Sequence, residues 1–357
     1  MARIFYGVHG TGHGHAMRGL TIARALPQHE FLFVANDDAP SVLEQEFRVA
    51  RLPNLGTVFK NYRVDLPATI KKAAITLLDK SKYLKQAVRL IGEFKPDLCM
   101  TDLEFFVPRA ARQTGIPCLT LDHQHIITCC RHKLPPDMWV DNFIQGLTPK
   151  WLFKPTEANI IISFYSAPIK PQYNALIAPP ILRKKVLEQT PEDRGHILVY
   201  QSNSTDKRLI DFLSSSTKRK VFIYGYKNEK GKHGHLEFME KSETGFLDHL
   251  AGCSYVIQGG SHTLMSEALY MGKPIISIPI KAMLEQRYNA FYLEKNGYGI
   301  NVDMKDLNAK LLNEFEDNLD KYKANIAGKN FFGNDLTFGL VNKAAQTGKF
   351  ADGFFNA

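Results

Sequence analysis

Residues 2–26 read ARIFYGVHGTGHGHAMRGLTIARAL, and this stretch decides the fold. ARIFYGV is a short apolar strand, Gly10, Gly12 and Gly14 space a loop, and MRGLTIARAL carries apolar residues at helical spacing. A strand feeding a glycine loop and then a helix lets a ligand approach the backbone, with helix amides pointing at it. The unit recurs. Residues 31–36 (FLFVAN), 95–102 (KPDLCMTD), 116–122 (IPCLTLD) and 159–165 (NIIISFY) predict further strands, and VPRAARQT, closed by Gly115, predicts a helix. Alternating strands and helices imply a parallel sheet covered on both faces. Residues 70–94 have helical spacing and are expected to pack beside this sheet.

Pro168, Pro171, Pro179 and Pro180 predict a stiff connector, with a domain boundary near Ala178. The alternation then restarts at residues 195–201, 220–225, 254–258 and 273–280. Two doubly wound α/β domains are expected, 1–178 and 179–357, facing across a cleft at the carboxyl ends of their strands. LTFGLVNKAA, near the end, predicts a closing helix that could cross back onto the first domain.

The 357 residues, with 44% hydrophobic and 23% charged side chains, suit a globular chain of two domains. No apolar run approaches the roughly 20 residues of a membrane span, and no signal peptide is read. Five cysteines without a CxxC pair fit a reducing compartment, so a cytoplasmic protein is expected. The net charge is +9, and between residues 56 and 95 nine Lys or Arg face three acids. That stretch is either a solvated helix face or a surface for an anionic membrane or polyprenyl phosphate. A nucleic-acid partner is not expected, because only Tyr62 and Tyr83 interleave with the basic residues.

Two loops carry the candidate chemistry. In the first, His9, His13 and His15 crowd the glycines, and histidine is the common general base near neutral pH. A nicotinamide-dinucleotide fingerprint needs glycine at position 15, where this chain has His15; that weakens a dehydrogenase reading, although Asp37 and Asp38 would suit a ribose. The second is QGGSHTLMSEALYMGKPIISIPIKAMLEQRYNA, residues 258–290. Gly259, Gly260 and Ser261 lead into a helix near Thr263, a geometry for phosphate oxygens, and Glu267, Glu285 and Gln286 could read ribose or sugar hydroxyls. DHQHIITCCRH, residues 122–132, matches no standard zinc spacing, so no metal is expected; Asp122 and His123 are read as lining the acceptor side.

GTGHGHAMR together with GGSHTLMSEAL, GKPIISIPI and EQRYNA resembles the nucleotide-sugar-dependent glycosyltransferases of the GT-B fold. The branch is the one containing the peptidoglycan lipid-linked GlcNAc transferase and the UDP-glycosyltransferases. The resemblance implies two Rossmann-like domains, a nucleotide-sugar donor on the second, a hydroxyl acceptor on the first and no metal or cofactor. It implies that Gly259, Gly260, Ser261, His262 and Thr263 cradle the diphosphate, that Glu267 holds the ribose and that Glu285 with Gln286 contacts the sugar. Ser202 matches a phosphate-contacting serine, and Phe246 lies in the segment whose backbone reads the base. His15 matches the base of inverting members and Asp102 the carboxylate that orients it, although Asp102 could instead cap the helix that follows; His13 leaves open which imidazole acts. The function implied is inverting transfer from a nucleoside diphosphate sugar, UDP above others, to a hydroxyl acceptor such as a lipid-linked or envelope glycan precursor. A hydrolase or epimerase on the same fold and a non-enzymatic nucleotide-sugar-binding protein are the alternatives.

Overall fold

β1 (Arg3–Val8) is the centre from which the first sheet is built. Its alternate residues go to opposite faces, Ile4, Tyr6 and Val8 into one apolar core and Phe5 into the other. β2 (Glu30–Ala35) and β3 (Arg48–Arg51) extend the sheet on one side, and β6 (Leu98–Asp102), β7 (Cys118–Asp122), β8 (Ala158–Ile162) and β9 (Ala175–Ala178) on the other. β4 (Phe59–Lys60) and β5 (Arg63–Val64) form a separate hairpin. The seven-stranded order is β3-β2-β1-β6-β7-β8-β9, all parallel. The register pairs Val8 with Asp102, which brings the end of β6 beside the glycine loop after β1.

The second sheet contains β10 (His196–Ser204), β11 (Val221–Tyr226), β12 (Gly231–His233), β13 (Leu236–Phe238), β14 (Cys253–Gln258), β15 (Ile275–Ser277) and β16 (Gly299–Asn301). Its order is β12-β13-β11-β10-β14-β15-β16, parallel except for β12. Its strands bury Ile197, Val199, Ile223, Tyr255 and Ile257 in a core of their own. Two consecutive, mainly parallel sheets covered by helices make two Rossmann-like α/β domains.

This computed structural model describes every residue except 12, 57, 61–62, 144–150, 205, 227–228, 281–282, 351–353 and 356–357; the side chains of 59–60, 63–64, 66 and 202–204 are also left undescribed. The chain divides into one unit of residues 1–58, 65–183 and 333–357 and a second of 59–64 and 184–332. The division falls after Arg183, and the closing helix Asn334–Thr347 belongs to the first unit, giving its core Leu340, Val341, Ala344 and Ala345. The proline-bounded connector contains a strand, β9, which pairs with β8. The basic stretch is two helices, Leu66–Leu78 and Lys80–Phe94, parted at Asp79; Asp65 caps the first by accepting the Ala68 amide at 3.0 Å. Among the described residues no helix is long and apolar enough to cross a membrane.

Candidate active site

The loop after β1 turns into the helix His13–Ala25, which places His15 in its first turn and Arg18 one turn further on the same face. His15 Nδ1 lies 2.7 Å from Oδ1 of Asp102, a side chain with no solvent exposure at the carboxyl end of β6. Arg18 closes the other side with a two-pronged contact, Nε to Oδ2 at 2.8 Å and Nη2 to Oδ1 at 3.0 Å. Burial alone would raise the Asp102 carboxyl, but Arg18 and His15 overcome it and hold it at about 2. Burial likewise works against the Arg18 charge, and Asp102 reverses that and raises it. Asp102 is therefore an ionised acceptor that a proton on His15 Nδ1 satisfies, and in the neutral ring of that tautomer Nε2 holds the lone pair; Arg18 Nη2 lies 3.2 Å from the same Nδ1. The Gln124 side-chain nitrogen is 3.4 Å from Nε2.

His9 is a different kind of histidine. It is buried, donates from Nδ1 to the Leu103 carbonyl at 3.2 Å, and its ring centre is 5.1 Å from that of His15. Burial, reinforced by His15, pushes it down to about 3, so it stays neutral. His13 is exposed at the start of the helix; Gly10 and Gly14 flank the turn into it, and Gly12 lies outside the described residues.

The amides that open the helix Val107–Thr114 are held by Glu104, not by Asp102. Glu104 accepts the Phe106 and Val107 amides at 2.9 and 2.5 Å, and burial pushes its carboxyl up to about 7 against the pull of those amides. Leu103 takes φ 53° between the two acids, so Asp102 and Glu104 diverge. Asp122 is also committed within the chain: its oxygens accept the His125 amide at 2.9 Å and His125 Nδ1 at 2.6 Å, while His125 Nε2 donates to the Phe153 carbonyl at 2.8 Å. With an acceptor at each nitrogen, His125 is an imidazolium, raised by Asp122 in spite of burial. His123, 1% exposed, donates to the Ile162 carbonyl at 2.8 Å. Asp122 and His123 thus brace the rim of the sheet rather than presenting free polar atoms to an acceptor. Cys129 and Cys130 are buried thiols, and among the described residues no group of His, Cys, Asp and Glu is arranged to hold a metal ion.

In the second unit, β14 runs into Gly259, Gly260 and Ser261, and the helix His262–Tyr270 follows. Gly260 has φ +96°, and a Cβ there would stand 2.7 Å from the Gln286 Cβ, so glycine is required. The Gly260 and Ser261 amides, expected to meet a diphosphate, donate to Oε1 of Gln258 at 2.9 and 2.8 Å. The Ser261 hydroxyl makes no capping bond. Asn289, fully buried, donates to the Gly260 carbonyl at 3.0 Å and pins the loop to the helix Leu284–Lys295. Gln286 on that helix accepts the Ile280 amide at 3.0 Å, so its carbonyl is used within the chain; Glu285 is its neighbour in the same first turn. Glu267 is buried one turn into the preceding helix, with His262 buried and Thr263 half-buried before it. Phe246 packs its ring on Tyr200 and Tyr224 at 5.7 and 5.0 Å, and its amide donates to the Ser242 carbonyl at 3.0 Å. Ser202 lies on β10, with its side chain outside the described part.

The family model for glycosyl transferase family 1 matches residues 2–320. This chain belongs to that family. A glycosyltransferase of Methanosarcina mazei, itself uncharacterised, is 27% identical over 328 residues, 81% of this chain and 83% of that protein. Among solved structures, the glycotransferase of kitacinnamycin covers 96% of this chain and 99% of its own at TM-score 0.70 and 15% identity. MurG of Acinetobacter baumannii covers 96% and 100% at TM-score 0.61 and 15% identity. These two show the GT-B fold.

In this glycosyltransferase the sequence pointed to His15 and Asp102 but passed over Arg18, although three residues after a helical histidine is the spacing of a same-face partner. Gln258 and Asn289, which hold the second loop, carry no sequence signal apart from their places at a strand end and on the next helix.

Proposed function

We propose that this glycosyltransferase inverts configuration, moving a sugar from a nucleoside diphosphate sugar, a UDP-sugar first, to a hydroxyl acceptor without a metal. The observation that carries this is the 2.7 Å contact from His15 Nδ1 to a buried, ionised Asp102, which leaves Nε2 as a base. In the reaction, Nε2 takes the acceptor hydroxyl proton as that oxygen bonds to the anomeric carbon. The bond from that carbon to the diphosphate breaks on the opposite face, and the diphosphate leaves with its electron pair. The donor is assigned to the second unit by resemblance, with Glu267 on the ribose, the Ser261 hydroxyl and first helical amides on the diphosphate, and Glu285 near the sugar.

The acceptor is proposed to be presented at an anionic bilayer, on the cytoplasmic side. Ile70, Ile75 and Leu78 are 59%, 54% and 85% exposed, beside exposed Lys71, Lys80, Lys82 and Lys85. The Phe105 ring has Lys80 Nζ at 6.0 Å and the Arg109 guanidinium at 3.6 Å, and Arg109 donates to the Leu152 carbonyl next to Trp151, which is 67% exposed. Apolar side chains ringed by lysines match an interfacial lipid surface.

A thermal-shift screen of UDP, TDP, GDP, CDP and their sugars against the wild type and Glu267→Ala tests the donor assignment. Stabilisation by one nucleotide, lost in the variant, is expected. No stabilisation by any nucleotide would contradict the reading.

A further inference from the structure

Asn54 is 4% exposed, and neither its Oδ1 nor its Nδ2 has a hydrogen-bond partner. Among the described residues it is the one side chain with both ends of a buried amide unpaired. Such a group is costly to fold and calls for a partner that the chain does not supply. Its surroundings are polar. A Cβ on Gly56 would lie 2.2 Å from Thr11 Oγ1, 3.1 Å from Asn54 Nδ2 and 3.4 Å from Asp37 Oδ2, so three polar side chains from three loops converge on one point. Lys72 Nζ adds a donor 2.8 Å from Asp37 Oδ2, and these two side chains, 30% and 29% exposed, open the cluster to solvent.

The topology explains the convergence. Thr11 follows β1, Asp37 follows β2 and Asn54 follows β3, and these strands lie side by side in the sheet, so their loops line up at the carboxyl ends. Asp37 is held at φ 53°, with the Asp38 amide bonded to the Gly10 carbonyl at 3.0 Å, which ties the loop after β2 to the loop that carries His15. Next along the same rim comes Asp102 at the end of β6.

We propose that Thr11, Asp37, Asn54 and Lys72 form a subsite for a sugar ring of the acceptor, which makes the acceptor a carbohydrate. The proposal rests on the reading of the first unit as the acceptor half. A hydroxyl is both donor and acceptor, as is an amide, so two ring hydroxyls satisfy both ends of Asn54 where an alkyl chain would satisfy neither. The Asp37 carboxylate accepts from hydroxyls and repels a phosphate, while Lys72 donates. Gly56 packs its backbone directly against Thr11, with no room for a side chain.

The test follows the Asn54 side-chain amide resonances while methyl glycosides of glucose, mannose and N-acetylglucosamine, and separately inositol and inorganic phosphate, are added. At least one glycoside is expected to shift them, with Asn54→Leu and Asp37→Asn each weakening that binding about tenfold or more. Asn54→Leu is also expected to raise Tm, because it removes a buried unpaired amide, so lost binding cannot be put down to misfolding. Nucleotide stabilisation is expected to persist in both variants. Resonances unmoved by every sugar, moved by phosphate alone, or binding unchanged in both variants would each overturn the subsite. A wild type that binds nucleotide but no sugar sinks the subsite alone, whereas one that binds no nucleotide sinks the donor reading.

Discussion

The two glycine loops of this glycosyltransferase look alike in sequence and are held in opposite ways. The loop of the first unit delivers His15 into a cluster with buried charges already paired, Asp102 between an imidazole and a guanidinium. The loop of the second unit is folded back on itself, with its Gly260 and Ser261 amides on Gln258 and its Gly260 carbonyl on Asn289. The first is held by charge, an arrangement that suits the proton transfer proposed for His15. The second is braced by neutral hydrogen bonds, so in the proposed donor site the Ser261 hydroxyl and the helix start, rather than the loop amides, are left for a diphosphate.

The largest effect expected from this contrast is on turnover. His15→Ala should lower the transfer rate by about 10²- to 10⁴-fold without changing nucleotide stabilisation, because the base is absent from the donor loop. Equal loss of both, read by rate and thermal shift together, would erase the distinction between the loops. Arg18→Met should come next. It leaves Asp102 buried with one partner fewer, and a loss of about 3–5 kcal/mol of stability is expected by denaturant titration. A change below about 1 kcal/mol would mean that the guanidinium is not a buried partner.

Glu104 sharpens the comparison through pH. Its carboxyl is ordinarily near 4.5 and is pushed up to about 7, so between these values the folded chain keeps a proton that the unfolded chain has released. Stability from this group is full below that window and falls as pH rises through it, by roughly 3 kcal/mol. His9 has the opposite sign: lowered from 6.5 to about 3, it costs stability as pH falls through that range. Glu104→Gln should therefore remove the loss on the alkaline side and leave the acid side unchanged, which paired unfolding curves would reveal. The smallest effect is expected on the outer face, where Lys71→Glu or Lys82→Glu should each weaken sedimentation with anionic vesicles roughly tenfold and leave neutral vesicles unaffected.

Much of this was legible in the chain. The strand, glycine loop and helix of residues 2–26 and the GGS loop read correctly because their signals are local: apolar period, glycine, helix start. β9 was hidden because Ala175–Ala178 lies among prolines, and β3 because Arg48–Arg51 is an edge strand with two exposed arginines and no buried residue. The pairing of Arg18 with Asp102 spans 84 positions and exists only because β1 and β6 are neighbours with Val8 opposite Asp102. No residue pattern announces that register. The capping role given to Asp102 passed to Glu104 through the left-handed turn at Leu103, which residue types do not specify.

Whether His15 can act as the base depends on which of its nitrogens carries the proton. Long-range proton–nitrogen NMR of the wild type at about pH 8, with His15 assigned by comparison with His15→Gln, reads this directly. The prediction is a protonated Nδ1 and a bare Nε2, with the preference lost in Asp102→Asn. A protonated Nε2 in the wild type would contradict the assignment of His15 as the base.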